Sequence, residues 1–116
     1  MYQNLYQPQY VYGNIQQNLR QPPRRVNLDE SMLASSHDLG NGFHSFSWNQ
    51  RIGVNETVTY FLSARGLKVI SAGWAPRGYE SLYALESYPR DINRWTISVV
   101  NSAIERDIFL YLIAKN

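Results

Sequence analysis

Apolar and polar residues alternate with a period of two along much of the chain. Trp95, Ile97 and Val99 alternate with Thr96, Ser98 and Val100, and Ile108, Leu110 and Leu112 alternate with Phe109, Tyr111 and Ile113. β-Branched and aromatic residues at that period predict two strands, with residues 101–106 as the turn between them. The second run is apolar on both sides, which predicts a strand covered on both faces. Together the two are expected to form a hairpin that closes the fold. Upstream, residues 43–51 alternate through Phe46 and Trp48. Residues 56–63 set Val58, Tyr60 and Leu62 against Thr57, Thr59 and Phe61, and residues 67–74 and 81–87 add two more strands. Asp38-Leu39-Gly40-Asn41-Gly42, Gly53-Val54-Asn55, Pro76-Arg77-Gly78 and Tyr88-Pro89-Arg90-Asp91 carry turn or loop chemistry between them. Arg65-Gly66 reads as a tight hairpin turn. Residues 26–36 fit either one helical turn starting near Asp29 or a short edge strand at 32–35. No long helical period occurs. The pattern predicts an all-β fold, a small antiparallel β-sandwich or jelly-roll-like domain over residues 26–116.

Residues 1–25 follow a different pattern. Gln3, Gln7, Gln9, Gln16, Gln17 and Gln21 alternate loosely with Tyr2, Tyr6, Tyr10 and Tyr12, and Pro8, Gly13, Pro22 and Pro23 interrupt any regular element. Such a segment is expected to be an extended arm. Ordering it costs about 1–2 kcal/mol per residue, more than so polar a stretch recovers by folding on itself. The arm is therefore expected to bind other protein subunits. Tyr2, Tyr6, Tyr10 and Tyr12 would supply apolar area with polar tips, and Arg20, Arg24 and Arg25 would pair with acidic groups on the acceptor.

Composition narrows the classes of function. With 116 residues the chain makes one domain at most. A net charge of +2 and a pI near 9.0 leave too little clustered cation to argue for nucleic acid as a partner. No apolar run approaches the roughly 20 residues of a membrane-spanning helix, so no membrane partner is expected. The start, Met1-Tyr2-Gln3-Asn4-Leu5, lacks a cationic and apolar leader. The absence of cysteine removes disulfides, thiolate chemistry and sulfur metal sites and fits assembly in a reducing host cytoplasm.

Candidate chemistry is sparse. His37 and His44 are the two histidines, with Asp38, Ser35, Ser36 and Ser45 close in sequence, but neither a triad nor a metal-ligand spacing recurs. Glu80, Glu86 and Asp91 fit a solvated surface balanced by Arg77, Arg90 and Arg94 better than a glycosidase pair. Asn55-Glu56-Thr57 matches a glycosylation sequon without a secretion signal to support it. No catalytic residue, metal or cofactor is expected. Trp48 and Trp95 belong to apolar alternation and should be core. Trp74, Arg77 and Tyr79, near a strand end and the loop after it, form a candidate recognition surface for a partner subunit or a glycan.

The run Ser63-Ala64-Arg65-Gly66-Leu67-Lys68-Val69-Ile70-Ser71-Ala72-Gly73-Trp74, followed by Ser87-Tyr88-Pro89, by Trp95-Thr96-Ile97-Ser98-Val99 with Asn101, and by Tyr111-Leu112-Ile113-Ala114, resembles a small β-sandwich module. That module recurs at the C-termini of phage tail-fibre and other virion proteins and in secreted bacterial proteins. The resemblance covers about residues 57–116. It departs where the module carries a cysteine pair, with Ser63 and Ala114 in those places and Ala64 replacing a proline. It implies that Ser63 and Ala114 sit on neighbouring strands, and it implies attachment without enzymatic activity. The resulting expectation is a virion structural or attachment protein, homo-oligomeric and tethered by its arm. A carbohydrate-binding, lectin-like domain is the alternative.

Overall fold

The computed structural model describes residues 23–116; Tyr2, Tyr6, Tyr10, Tyr12 and Arg20 lie outside them. Eight strands form two four-stranded sheets: β1 (Arg24–Leu28), β2 (Ser35–Gly40), β3 (Phe43–Ile52), β4 (Glu56–Leu62), β5 (Lys68–Pro76), β6 (Leu82–Asp91), β7 (Arg94–Asn101) and β8 (Arg106–Lys115). The first sheet has the order β1-β4-β7-β6 and the second β2-β3-β8-β5. All pairings are antiparallel except β1 with β4. The fold is thus an all-β sandwich.

Facing side chains fill the space between the sheets. Val58, Tyr60, Leu62, Ile97 and Val99 from the first sheet meet Phe46, Trp48, Ile108, Leu110, Leu112 and Ala114 from the second, with Leu28, Ile52 and Ala64 closing the ends. The Trp48 indole Nε1 donates to the Asp29 carbonyl at 2.8 Å, so the largest core side chain also ties β3 to the segment that follows β1. Burying one large apolar side chain contributes on the order of 1.5–3 kcal/mol, and this cluster is the main cohesive force between the layers.

Both halves of the ambiguous segment at 26–36 form structure. Leu28, spaced two residues from Val26, packs into the core, which makes β1 a strand from Arg24 onward. Asp29 then caps a one-turn 3-10 helix, Glu30–Met32, by accepting from the Ser31 amide at 2.9 Å. Strand β2 runs through Asp38 and Leu39, where a turn was expected. The reversal falls on the last two residues of the expected turn, Asn41-Gly42, with φ of 56° and 83°, the left-handed pair that matches hairpin twist. Strand β6 likewise continues through Pro89 to Asp91 with register shifts on the way, where a loop was expected.

Two expected hairpins are corners between the sheets. Arg65 and Gly66 make the tight turn with positive φ, and the Leu67 amide donates to the Ala64 carbonyl at 3.0 Å. Even so, β4 belongs to the first sheet and β5 to the second. The closing pair, β7 and β8, also divides between sheets. Turn residues specify a local reversal and not the sheet that each flanking strand joins; Ala64 and Arg106 beside the turns are buried. Because β4 and β8 are in different sheets, Ser63, extending β4, and Ala114, on β8, do not fall on neighbouring strands.

Candidate functional site

The two outer faces of the sandwich differ in chemistry, and strand register shows how each is built. On the second sheet, Phe109, Tyr111 and Ile113 of β8 point away from the core. Their neighbours across the ladder are Ala75, Gly73 and Ser71 on β5 and Asn49, Ser47 and Ser45 on β3. An aromatic and aliphatic ridge therefore runs beside a trough of small residues. A Cβ placed on Gly73 would meet nothing within 4 Å, so the trough floor is open. Tyr111 is 44 % exposed, and Phe109 and Ile113 are half-buried. Strand β8 was expected to be covered on both faces; one face is core and the other is partly open, because small neighbours cannot shield it.

The first sheet shows the reverse. Thr96, Ser98 and Val100 of β7 point outward yet are buried, since Phe61, Tyr83 and Tyr88 on flanking strands stand over them. Across this face lies a basin of about 210 Å³ lined by Arg25, Thr59, Phe61, Glu86, Tyr88, Arg90 and Thr96. Ser98 Oγ donates to Glu86 Oε2 at 2.6 Å, and Thr59 Oγ1 lies 2.8 Å from Ser98 Oγ. The single Ser98 proton is committed to the carboxylate, so Thr59 donates to Ser98. The Arg90 guanidinium sits 5.3 Å from the Phe61 ring centroid and that of Arg94 6.0 Å. Thr96 is 1 % exposed, and its Oγ1 has no hydrogen-bond partner. An unmet buried hydroxyl costs about 1–3 kcal/mol.

The candidate recognition residues are dispersed. Trp74 points inward and packs against the core cluster, so the strand end does not expose it. After β5, the Arg77 amide donates to the Asp107 carbonyl at 3.0 Å and its guanidinium lies 3.8 Å from the Asp107 carboxylate. Tyr79 is fully exposed in the following loop. Of the arm cations, Arg24 is an internal brace: it grips Glu56 with two donors, at 2.7 and 3.3 Å, and reaches the Arg51 carbonyl. That grip, aided by the Gly53 amide, holds the Glu56 carboxyl below its ordinary value against the opposing effect of burial. Burial pushes the core hydroxyl of Tyr60 up to about 12. Arg25 faces the opposite way and lines the basin.

The histidines do not converge. His37 pairs in register with Ser45 on the outer side of the second sheet, whereas His44 pairs with Ala114 and stacks on Phe46, 6.2 Å between centroids. The Asp38 carboxylate accepts from the Gly40 amide. Glu80 lies 3.6 Å from Arg106, Asp91 pairs with Arg94 and Glu86 with Ser98, so the three candidate carboxylates serve different partners. The described residues hold no cluster of metal-ligating side chains.

The YjdH family model matches residues 24–114, from the first residue of β1 to the last but one of β8. The chain belongs to the YjdH family. The family match covers both sheets and every basin residue, and it leaves the Tyr/Gln segment outside. No curated protein and no solved structure matches the chain.

Proposed function

We propose that the protein is a non-enzymatic structural protein that assembles through the outer face of its second sheet, pairing with a second copy of itself. The supporting observation is the partly open ridge of Phe109, Tyr111 and Ile113 beside the Gly73 trough. Ridge and trough lie side by side, so a two-fold axis sets the ridge of each copy into the trough of the other. A four-stranded face whose two central strands have ten residues each spans at most roughly 19 by 33 Å, at the lower end of the ~600–1,000 Å² per partner of a stable interface. Lys68 and Lys115 at one end, and Arg51 with Asp107 at the other, frame the apolar centre with charge.

The setting we propose is a virion, as a capsid decoration, head-fibre or tail component. The segment bearing Tyr2, Tyr6, Tyr10, Tyr12 and Arg20 serves as tether to other virion subunits. Repetition on a symmetric particle multiplies weak contacts into firm attachment. Sedimentation equilibrium of the full chain tests the assembly step. Wild type is expected to be dimeric at micromolar concentration and Tyr111→Lys monomeric with an unchanged far-ultraviolet spectrum. A wild type that stays monomeric throughout would remove the proposal. The tether is tested by removing residues 1–22, a cut that spares Arg24 and Leu28 of β1: particle attachment should be lost while the sandwich persists.

A further inference from the structure

The basin on the first sheet is unrelated to the face assigned to assembly, and its chemistry is that of a ligand site. Among the described residues the arginine ion pairs use Arg24, Arg51, Arg65, Arg77, Arg94 and Arg106. Arg25 and Arg90 are in none of them, and both line the basin. They stand on β1 and β6, the two edges of the sheet, so they flank the cavity from opposite sides. Glu86 is the one carboxylate between them, which leaves one positive charge in excess.

The hydrogen-bond direction across β4, β7 and β6 sharpens this. Because Thr59 donates to Ser98 and Ser98 to Glu86, the second Glu86 oxygen and the lone pairs of Thr59 remain as acceptors. Thr96 contributes an unpartnered hydroxyl that is almost fully buried beneath the same cavity. Tyr88, 40 % exposed, supplies an aromatic wall, while the face of Phe61 is engaged by guanidinium. A ligand for this set carries one negative charge for the arginines, hydroxyl donors for Glu86 and Thr59, and an apolar ring face for Tyr88. At about 210 Å³ the basin is smaller than the roughly 300–1,000 Å³ of sites for drug-sized molecules, so it holds a single ring.

We propose that the basin formed by Arg25, Thr59, Glu86, Tyr88, Arg90 and Thr96 binds an acidic monosaccharide unit, with the carboxylate between the two arginines and the ring hydroxyls on Glu86 and Thr59. The site does not depend on self-association, since it lies on the opposite sheet.

Amide chemical-shift titration of the full chain with glucuronate, glucose, acetate and inorganic phosphate tests it. Glucuronate is expected to shift Thr59, Phe61, Thr96 and Tyr88 saturably. Glucose, acetate and phosphate should each bind at least tenfold more weakly. Arg90→Gln and Arg25→Gln, both at exposed positions, should weaken glucuronate tenfold or more while the spectrum stays dispersed. Thr96→Val keeps side-chain shape and serves if an arginine variant disturbs the sheet; it too should weaken binding. Equal binding of acetate or phosphate would overturn recognition of a sugar acid, and equal binding of glucose would overturn the role of the arginines. The absence of any saturable shift at these four amides would remove the site.

Discussion

Strands β7 and β8 follow one another in the chain and each is central in its sheet, yet their outer faces invert the usual expectation. On β7 the outward residues Thr96 and Ser98 are polar and buried; on β8 Phe109, Tyr111 and Ile113 are apolar and partly open. The difference comes from the strands alongside. Phe61, Tyr83 and Tyr88 lean over β7, whereas Ser71, Gly73 and Ala75 leave β8 uncovered. Whether an outward side chain is shielded depends on the bulk of its cross-strand neighbours more than on its own hydropathy.

The inner faces provide the baseline, and the largest effects belong there. Ile97→Ala on β7 and Leu110→Ala on β8 each remove a fully buried side chain and should destabilise by about 2–5 kcal/mol, measured by urea unfolding. A marked inequality between them would show that one strand is less integral to the core than its burial implies. The outer faces should then separate the strands. Ser98→Ala breaks the row from Thr59 to Glu86 and should cost about 1 kcal/mol. Tyr111→Ser, in protein dilute enough to be monomeric, should change stability by no more than about 0.5 kcal/mol. If Tyr111→Ser proved the costlier change under those conditions, the proposed contrast would fail.

A smaller effect concerns the brace at the end of the first sheet. The Glu56 carboxyl is held below its ordinary value of 4.5 by Arg24. A carboxylate with a depressed value stabilises the fold above its unfolded value, and that contribution fades as the pH falls through the folded one. Stability should therefore drop as acid is added below about pH 4.5, and Glu56→Gln should flatten that part of the profile.

Much of the fold was legible in the sequence. Alternation of core-facing and outer residues marked β3, β4, β5 and β7 within a few residues, and a run of β-branched and aromatic residues between turn signals marked β8. The short strands β1 and β2 were obscured for different reasons. Only Val26 and Leu28 of β1 pack inward, and β2 is exposed at every position, so neither offers a hydrophobic rhythm. Sheet switching at Arg65-Gly66 and after Asn101 was also hidden, because a turn looks the same whether its strands pair or part. Arg106, read as part of a turn, is buried, with Nη2 donating to the Ser81 carbonyl at 2.6 Å. Of the basin, the sequence marked Arg25 as an arm cation and Glu86 and Arg90 as balancing surface charges, without joining them. Thr59, Ser98 and Glu86 lie far apart in sequence, and only strand register aligns them. The sequence signal that would have pointed to the site was the polar outer set of β7 in an otherwise apolar strand.

The central claim is that a second copy covers the outer face of β8, and the exposure of the Tyr111 ring measures it most directly. A soluble paramagnetic probe, followed by relaxation of Tyr ring protons across a concentration series, reports that exposure. The account predicts that Tyr111 becomes protected as concentration rises while Tyr79, which is fully exposed in its loop, keeps its relaxation. A Tyr111 ring equally accessible at the lowest and highest concentrations would contradict it.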